Sequence, residues 1–441
     1  MRYNPLPRGG LQLAALQEAP LLPGSKGLPL HAPLLPSQVA AQQWNILRGD
    51  TPFPVAVLKS SVLQHNLQWM EAFCRHYGVQ LAPHGKTTMS PQLFDAQLAQ
   101  GAWGMTLATL PQVQTAHRFG VRRVLLANQL VAPAELQLAA RLLQADPDFE
   151  LLLLVDSVAG VERLQHAAQS TGLQRGFSVL IELGFSGGRT GCRSAADALA
   201  LARSVAAAPG VHLAGVEGYE GLLVSANREQ DLAAVQHFLS ELASVLQQID
   251  HGPGFAGEQV IISAGGSAYF DRVAEGFANL PTLSRPLLPI LRSGCYLTHD
   301  HGFYHGLIRE MQQRLGASDT GLQPALEVWS MVQSRPEADL AILTMGKRDA
   351  SYDIELPLPQ QWHRPGSSDP LQALPAGSKV EKMNDQHAYL RLPEGTIRQD
   401  LQVGDLVMCG ISHPCTTFDK WPHLLLVDDG YQVQDIIHTC F

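Results

Sequence analysis

From Thr51-Pro52-Phe53-Pro54 onward, apolar runs of five to eight residues alternate with longer segments whose apolar positions return every three or four residues. Short apolar runs bounded by turn residues mark strands, and the three-to-four spacing marks helices, so the alternation predicts repeated βα units. Strands are expected at 79–82, 104–109, 123–128, 150–156, 177–183, 213–219, 259–264 and 289–297. The clearest helix is expected over 227–250, where Leu232, Val235, Phe238, Leu239, Leu242, Val245, Leu246 and Ile249 form one apolar stripe. Eight strands separated by helices over roughly 250 residues predict an α/β fold of the (β/α)8, TIM-like barrel type.

Beyond residue 320 the rhythm shortens, with strand-like pieces at 326–332, 340–345, 386–392, 405–409 and 423–427 separated by Gly, Pro and Asp turns. This predicts a separate C-terminal all-β domain. The stretch 358–374, interrupted by prolines and by Gly366-Ser367-Ser368, reads as a long exposed loop. The first fifty residues are rich in Pro, Leu, Gly and Gln, with one short helix expected near 39–47, and read as an arm draped over a larger body. The expected division is therefore an arm at 1–50, a barrel at 51–320 and a β domain at 321–441.

Composition narrows the function classes. Only 16% of the 441 residues are charged, against about 25% in a typical globular chain, so the solvated surface is small and subunit contact, in the form of a homodimer, is expected. Net charge is −9 and no run of five like charges occurs, which leaves no footprint for nucleic acid or an anionic membrane. The longest unbroken apolar run, 151–155, falls far short of the roughly 18 residues a membrane span needs. Residues 1–10 lack the apolar core of a signal peptide, so a cytoplasmic location is expected. The six cysteines show no short-spaced framework and are expected to be reduced.

Reacting groups of a βα barrel sit at the ends of its strands. The first strand runs into Pro83-His84-Gly85-Lys86-Thr87, and a lysine partly removed from water has a lowered pKa that frees its amine to form a Schiff base with a carbonyl. The fifth runs into a Gly-lined loop carrying Arg189, suited to a phenolate or carboxylate oxygen. The sixth ends in Gly218-Tyr219-Glu220-Gly221, a phenol and a carboxylate between glycines. The seventh ends in Ser263-Ala264-Gly265-Gly266-Ser267 before a helix, where small residues let backbone N–H groups approach a phosphate. No dinucleotide or Walker-type glycine loop occurs.

After the eighth strand, His299, His301 and His305 surround Asp300, a cluster suited to a metal but more commonly a cap or a domain link. In the β domain, His413 and Cys415 are two apart; if the chain is extended there, they face the same way and can share one zinc ion. His387, within Asn384-Asp385-Gln386-His387, is a candidate third ligand or base, or part of a turn.

Taken in order, Pro83-His84-Gly85-Lys86-Thr87, the Gly-x-x-x-x-Arg-Thr-Gly loop ending at Gly191, Gly218-Tyr219-Glu220-Gly221, Ala264-Gly265-Gly266-Ser267 and His413-Pro414-Cys415 resemble the D-serine dehydratase and D-threonine aldolase branch of the alanine-racemase-like, fold type III pyridoxal-phosphate enzymes. The likeness covers about residues 51–441. It implies that Lys86 holds pyridoxal 5′-phosphate, that His84, Arg189 and Tyr219 lie around the cofactor, and that Ser263, Gly265, Gly266 and Ser267 cradle its phosphate. It also implies that His413 and Cys415 bind a divalent metal, zinc, beside an amino-acid substrate. His-x-Cys rather than His-x-Asp at the metal position points to a dehydratase or deaminase acting on D-β-hydroxy amino acids. A D-threonine-type aldolase is the rival, followed by a racemase and a non-catalytic pyridoxal-phosphate carrier. Two departures stand out: Ser267 occupies a place where the family often has Thr, and Met345-Gly346-Lys347-Arg348-Asp349 does not follow the family's Gly-x-Lys pattern.

Overall fold

The computed structural model describes residues 6–225, 227–315, 321–394 and 401–441. They form two compact units, one of the described residues within 71–86 and 97–294, the other of the described residues within 6–70, 87–96 and 295–441. Among the described residues no helix is long and apolar enough to cross a membrane.

The first unit is the barrel. All eight expected strands are present: Gln80–Leu81, Met105–Leu107, Arg123–Gln129, Glu150–Val155, Phe177–Leu183, Val211–Gly218, Val260–Ala264 and Leu287–Leu291. Every ladder is parallel, and the first strand pairs with the eighth, Leu81 opposite Leu291. A parallel bridge between His84 and Thr106 joins the two ends of the sheet and closes the ring. Ala82, Leu125, Leu152, Leu154, Leu180, Ile261 and Ile290 pack together as its core. Strands buried on both faces need unbroken apolar runs, which is why the hydrophobic pattern locates them. The expected helix is Arg228–His251, and Asn227 caps it, its side chain accepting the N–H groups of Glu229 and Gln230 at 3.1 and 3.2 Å.

The second unit is built on a ten-stranded, mostly antiparallel sheet. Its centre includes Val55–Lys59, antiparallel to Leu326–Glu337 with Val55 opposite Trp329, and parallel to His423–Val427 with Val57 opposite Leu425. That strand precedes the barrel in the chain yet belongs to the other sheet. The loop expected at 358–374 is corrected: Leu358–His363 and Gln372–Ala373 are strands, the first paired with Leu406–Gly410. Prolines hid it, and Pro359 is tolerated because the ladder shifts register between it and Gln361.

The N-terminal arm is also more than a surface drape. Leu21, Leu28, Val39 and Ile46 are buried in one cluster with Val57, Trp329, Leu425 and Tyr431. Burial of such side chains is worth roughly 1.5–3 kcal/mol each before the cost of ordering the chain. Lys26 adds an ion pair to buried Asp349 at 2.7 Å and lies 3.7 Å over the Trp421 ring. The off-pattern segment around Asp349 therefore anchors the arm. In place of the helix expected near 39–47 stand two short 3-10 turns, Pro36–Gln38 and Ala40–Gln42, the latter ended by Gln43 in the left-handed region at φ 56°.

Candidate active site

Lys86 sits in a 3-10 turn, Gly85–Thr87, directly after the first barrel strand. Its side chain is exposed and makes no hydrogen bond or ion pair with a described residue. The partial burial expected for it is not seen. His84, two residues earlier, is held well below the ordinary imidazole range by burial first, and by the positive charges of Lys86 and Arg292. Its Nδ1 is buried without a hydrogen-bond partner. Neutral imidazole beside an amine keeps the site from accumulating positive charge.

The loops after the fifth and sixth strands bring Arg189 and Tyr219 together, with the guanidinium 5.4 Å from the ring centroid. The Tyr219 ring lies against two glycines: a Cβ at Gly221 or Gly266 would stand 2.5 or 2.6 Å from it. Only glycine allows the loop after the seventh strand to approach the ring so closely. Gly265 has φ +89°, and a Cβ there would meet Leu291 at 2.7 Å.

This loop differs from expectation in how its donors are used. The N–H groups of Gly265 and Gly266 donate to the Glu220 carboxylate at 3.1 and 2.8 Å. Ser263 is fully buried and donates to the Ile290 carbonyl at 3.1 Å. Ser293 donates to the carbonyls of Gly265 and Gly266, both at 3.1 Å. Ser263 and these two glycine N–H groups thus shape the loop from within, and Ser267 lies at its half-exposed end. Glu220 is wholly buried, and burial raises its pKa while the loop N–H groups pull it down.

Sequence reasoning missed a buried ionic layer beneath the loops. Arg292 pairs with Glu217 at 2.7 Å and donates to the Gly218 carbonyl at 2.7 Å. Burial pushes the Glu217 carboxyl up to about 8, against the pull of Arg292. Glu182 accepts Thr190 Oγ1 at 2.6 Å and is also bonded by Gln129. The available signal was a Glu or Arg inside or just after an apolar strand, a position where charge persists only if paired.

In the second unit, Pro414, with φ −57° and ψ −44°, caps the short helix Cys415–Phe418, so His413 and Cys415 meet across a turn rather than on an extended strand. Asp353 bonds His413 Nδ1 at 2.6 Å and accepts Thr416 Oγ1 at 2.9 Å. Burial disfavours the His413 cation, yet Cys415 and Asp353 outweigh it and raise the group to about 9. Cys415 is held well below the ordinary thiol range, first by a hydrogen bond from Cys295, then by His413 and Thr87, against burial. Its Sγ lies 3.8 Å from Cys295 Sγ and 3.3 Å from Oγ1 of Thr87, the residue that follows Lys86 in the chain. A sulfur whose pKa is held down and an imidazole whose other nitrogen is bound to a carboxylate are the donor chemistry of a zinc site. Among the described residues, no three His, Cys, Asp or Glu side chains already surround one point.

The cluster after the eighth strand caps a helix through Asp300 and not through its histidines. Asp300 accepts the N–H groups of Gly302, Tyr304 and His305 at 3.1, 3.1 and 2.9 Å, opening the helix Phe303–Leu315. Burial pushes His299 down to about 3 and His301 to about 4. His387 lies in the turn between Lys379–Met383 and Ala388–Arg391, where its carbonyl accepts the Asn384 N–H at 2.9 Å.

Comparison with known proteins agrees with this geometry. The family model "Alanine racemase, N-terminal domain" matches residues 58–275, and "Putative serine dehydratase domain" matches residues 325–427. D-threonine aldolase of Arthrobacter sp is 26% identical over 411 residues, 93% of this chain and 96% of that protein. The crystal structure of D-threonine aldolase from Filomicrobium marinum superposes with a TM-score of 0.71 at 22% identity, covering 88% of this chain and 95% of that one. A metal-free cysteine-to-alanine variant of D-threo-3-hydroxyaspartate dehydratase superposes with a TM-score of 0.69 at 22% identity, covering 90% and 99%. With a closed parallel barrel, a lysine after its first strand, a glycine loop after its seventh and a separate β unit, the chain combines an alanine-racemase N-terminal domain with a serine-dehydratase domain, fits the fold type III pyridoxal-phosphate enzymes, and is a pyridoxal-phosphate-dependent lyase.

Proposed function

We propose that this lyase uses pyridoxal 5′-phosphate and zinc to convert D-β-hydroxy amino acids, such as D-serine or D-threonine, into a 2-oxo acid and ammonia. The observation that carries the reading is the His413–Cys415 donor pair with Asp353 bound to the imidazole at 2.6 Å. The barrel residues suit the cofactor: an exposed lysine after the first strand, a buried unpartnered His84 Nδ1, and a glycine loop against which a Cβ would collide. Lys86 would hold it, with Arg189 and Tyr219 at the ring and Ser267 at the phosphate. When bound, pyridoxal phosphate supplies an electron sink for the bond broken at Cα. When bound at His413 and Cys415, zinc supplies the Lewis acidity that eases departure of hydroxide, a poor leaving group.

The chain's own groups do the rest. Lys86 Nζ takes the Cα proton, and neutral His84 beside it adds no further positive charge to the site. Arg189 stacked near Tyr219 holds one orientation of the ring plane, and orientation is itself a large part of the rate. Asp353 fixes which His413 nitrogen is available.

Aldol cleavage is the second reading, favoured by the match to D-threonine aldolase along 93% of the chain. It breaks Cα–Cβ instead, after loss of the β-hydroxyl proton, and the same donors can serve it. Product analysis separates the two. Protein supplied with pyridoxal phosphate and zinc is incubated with D-threonine and with L-threonine. Ammonia and 2-oxobutanoate from the D isomer alone support the dehydratase; glycine and acetaldehyde assign the aldolase.

A further inference from the structure

We propose that Arg193 is a positioning residue for the cofactor: its guanidinium gathers the carbonyls of the loop after the fifth barrel strand and so fixes where the Arg189 guanidinium stands. The proposal rests on the reading above that Arg189 meets the pyridoxal ring, and it names the group that holds Arg189 there.

The loop runs from Gly184 to Gly191 and closes on itself. At its neck the Gly184 N–H donates to the Cys192 carbonyl at 2.9 Å, and the Cys192 N–H donates to the Glu182 carbonyl at 2.8 Å. A Cβ at Gly184 would collide with the Thr190 carbonyl and the Arg193 guanidinium, and Gly191 has φ +96°, so both ends of the loop need glycine. The two terminal nitrogens of Arg193 carry four hydrogens, and four successive carbonyls accept from them. Nη1 donates to Thr190 at 2.7 Å and Gly191 at 3.3 Å, and Nη2 to Gly188 at 2.9 Å and Arg189 at 3.3 Å. A planar fork of donors can serve carbonyls spread in this way; an ammonium, with its three donors at one point, cannot.

Arg193 is itself firmly based. It follows Cys192, which is tied to the barrel strand, and precedes Ser194, whose Oγ accepts the Asp197 N–H at 3.1 Å and caps the helix Ala195–Ala207. The other bonds to the loop fix its far end, with Thr190 Oγ1 on Glu182 at 2.6 Å and the Gly191 N–H on the Asp156 carboxylate at 3.1 Å. Among the described residues, no donor besides Arg193 reaches the carbonyls of Gly188 and Arg189. The Arg189 side chain is exposed, lies 5.4 Å from the Tyr219 ring centroid, and makes no hydrogen bond or ion pair with a described residue. Its place is therefore inherited from its backbone, and that backbone is held by Arg193.

The test is a double-mutant cycle on cofactor affinity, read by absorbance titration of the full-length apoprotein with pyridoxal 5′-phosphate, over Arg189→Ala, Arg193→Lys and the two combined. Arg193→Lys keeps the charge and removes the fork. It is expected to bind the cofactor about tenfold more weakly than wild type, and the combined variant is expected to bind as Arg189→Ala does, because Arg193 acts through Arg189. A residue that merely stabilised the loop would weaken binding equally in both backgrounds, and that additive result overturns the proposal. So does wild-type affinity in Arg193→Lys beside weakened binding in Arg189→Ala, which leaves the reading of Arg189 in place. Wild-type affinity in Arg189→Ala overturns that reading, and this proposal with it. Arg193 is exposed, so the change leaves the barrel core untouched; thermal melts check this, and Arg193→Gln repeats the cycle should the lysine variant fail to fold.

Discussion

Replacing Glu220 by Gln tests the claim that a buried carboxylate, rather than the glycines by themselves, sets the shape of the loop after the seventh barrel strand. Glu220 is completely buried and accepts two backbone N–H groups, one on each oxygen, at 3.1 and 2.8 Å. An amide offers a single acceptor, so one of the two glycine N–H groups must face an NH2 group. An unsatisfied buried donor costs about 1–3 kcal/mol, and the bond lost was to a charged group worth about 1.5–3 kcal/mol. Removing a buried charge returns part of this, because burial raises the pKa of Glu220 and so opposes its ionised form. The net expectation is about 1.4 kcal/mol against the closed loop, or about tenfold weaker affinity for pyridoxal phosphate. The assay is cofactor titration of the apoprotein by absorbance, with a thermal melt alongside. Acid should copy the mutation: as pH falls through the raised pKa of Glu220, a proton takes one acceptor oxygen, and wild-type affinity should drop toward that of Glu220→Gln, which itself stays flat. Cofactor affinity and melting temperature both unchanged in Glu220→Gln would refute the reasoning.

Further expectations follow from other parts of the site. Glu217 titrates near 8 when folded against 4.5 unfolded, so between these values the folded state holds a proton the unfolded chain has lost, and stability should fall as pH rises, by up to about 1.4 kcal/mol per pH unit. Denaturant curves of Glu217→Gln should lack that component; parallel pH profiles for variant and wild type would contradict the assignment. Asp353→Asn removes the carboxylate 2.6 Å from His413 Nδ1 and should weaken zinc binding about 10–100-fold by chelator competition; unaltered binding would mean Asp353 does not orient the ligand. Lys86→Ala should show no added cofactor mass after borohydride reduction, where wild type does, and a mass increment in the variant would remove Lys86 from its role.

The hydrophobic pattern alone determined the barrel. Its eight strands lie where apolar runs were read, and Asn227 caps the helix whose stripe was legible, because a strand covered on both faces and a half-buried helix each impose a local residue period. Motif order was legible too, since Lys86, Arg189, Tyr219, His413 and Cys415 belong to short runs with characteristic neighbours. Tertiary structure decided what no local period encodes. Val55–Lys59 has the composition of any buried strand, and only its partners Leu326–Glu337 and His423–Val427 assign it to the β unit. Leu358–His363 was hidden by proline, which signals a turn locally and is accommodated here by a register shift. The partnerships of Glu220 with the glycine N–H groups, Arg292 with Glu217, and Cys295 with Cys415 join residues 45 or more positions apart. A carboxylate or thiol reads the same in sequence whether it meets water or a buried donor; its chemistry here is set by what folding excludes from around it and by the single partner left within reach.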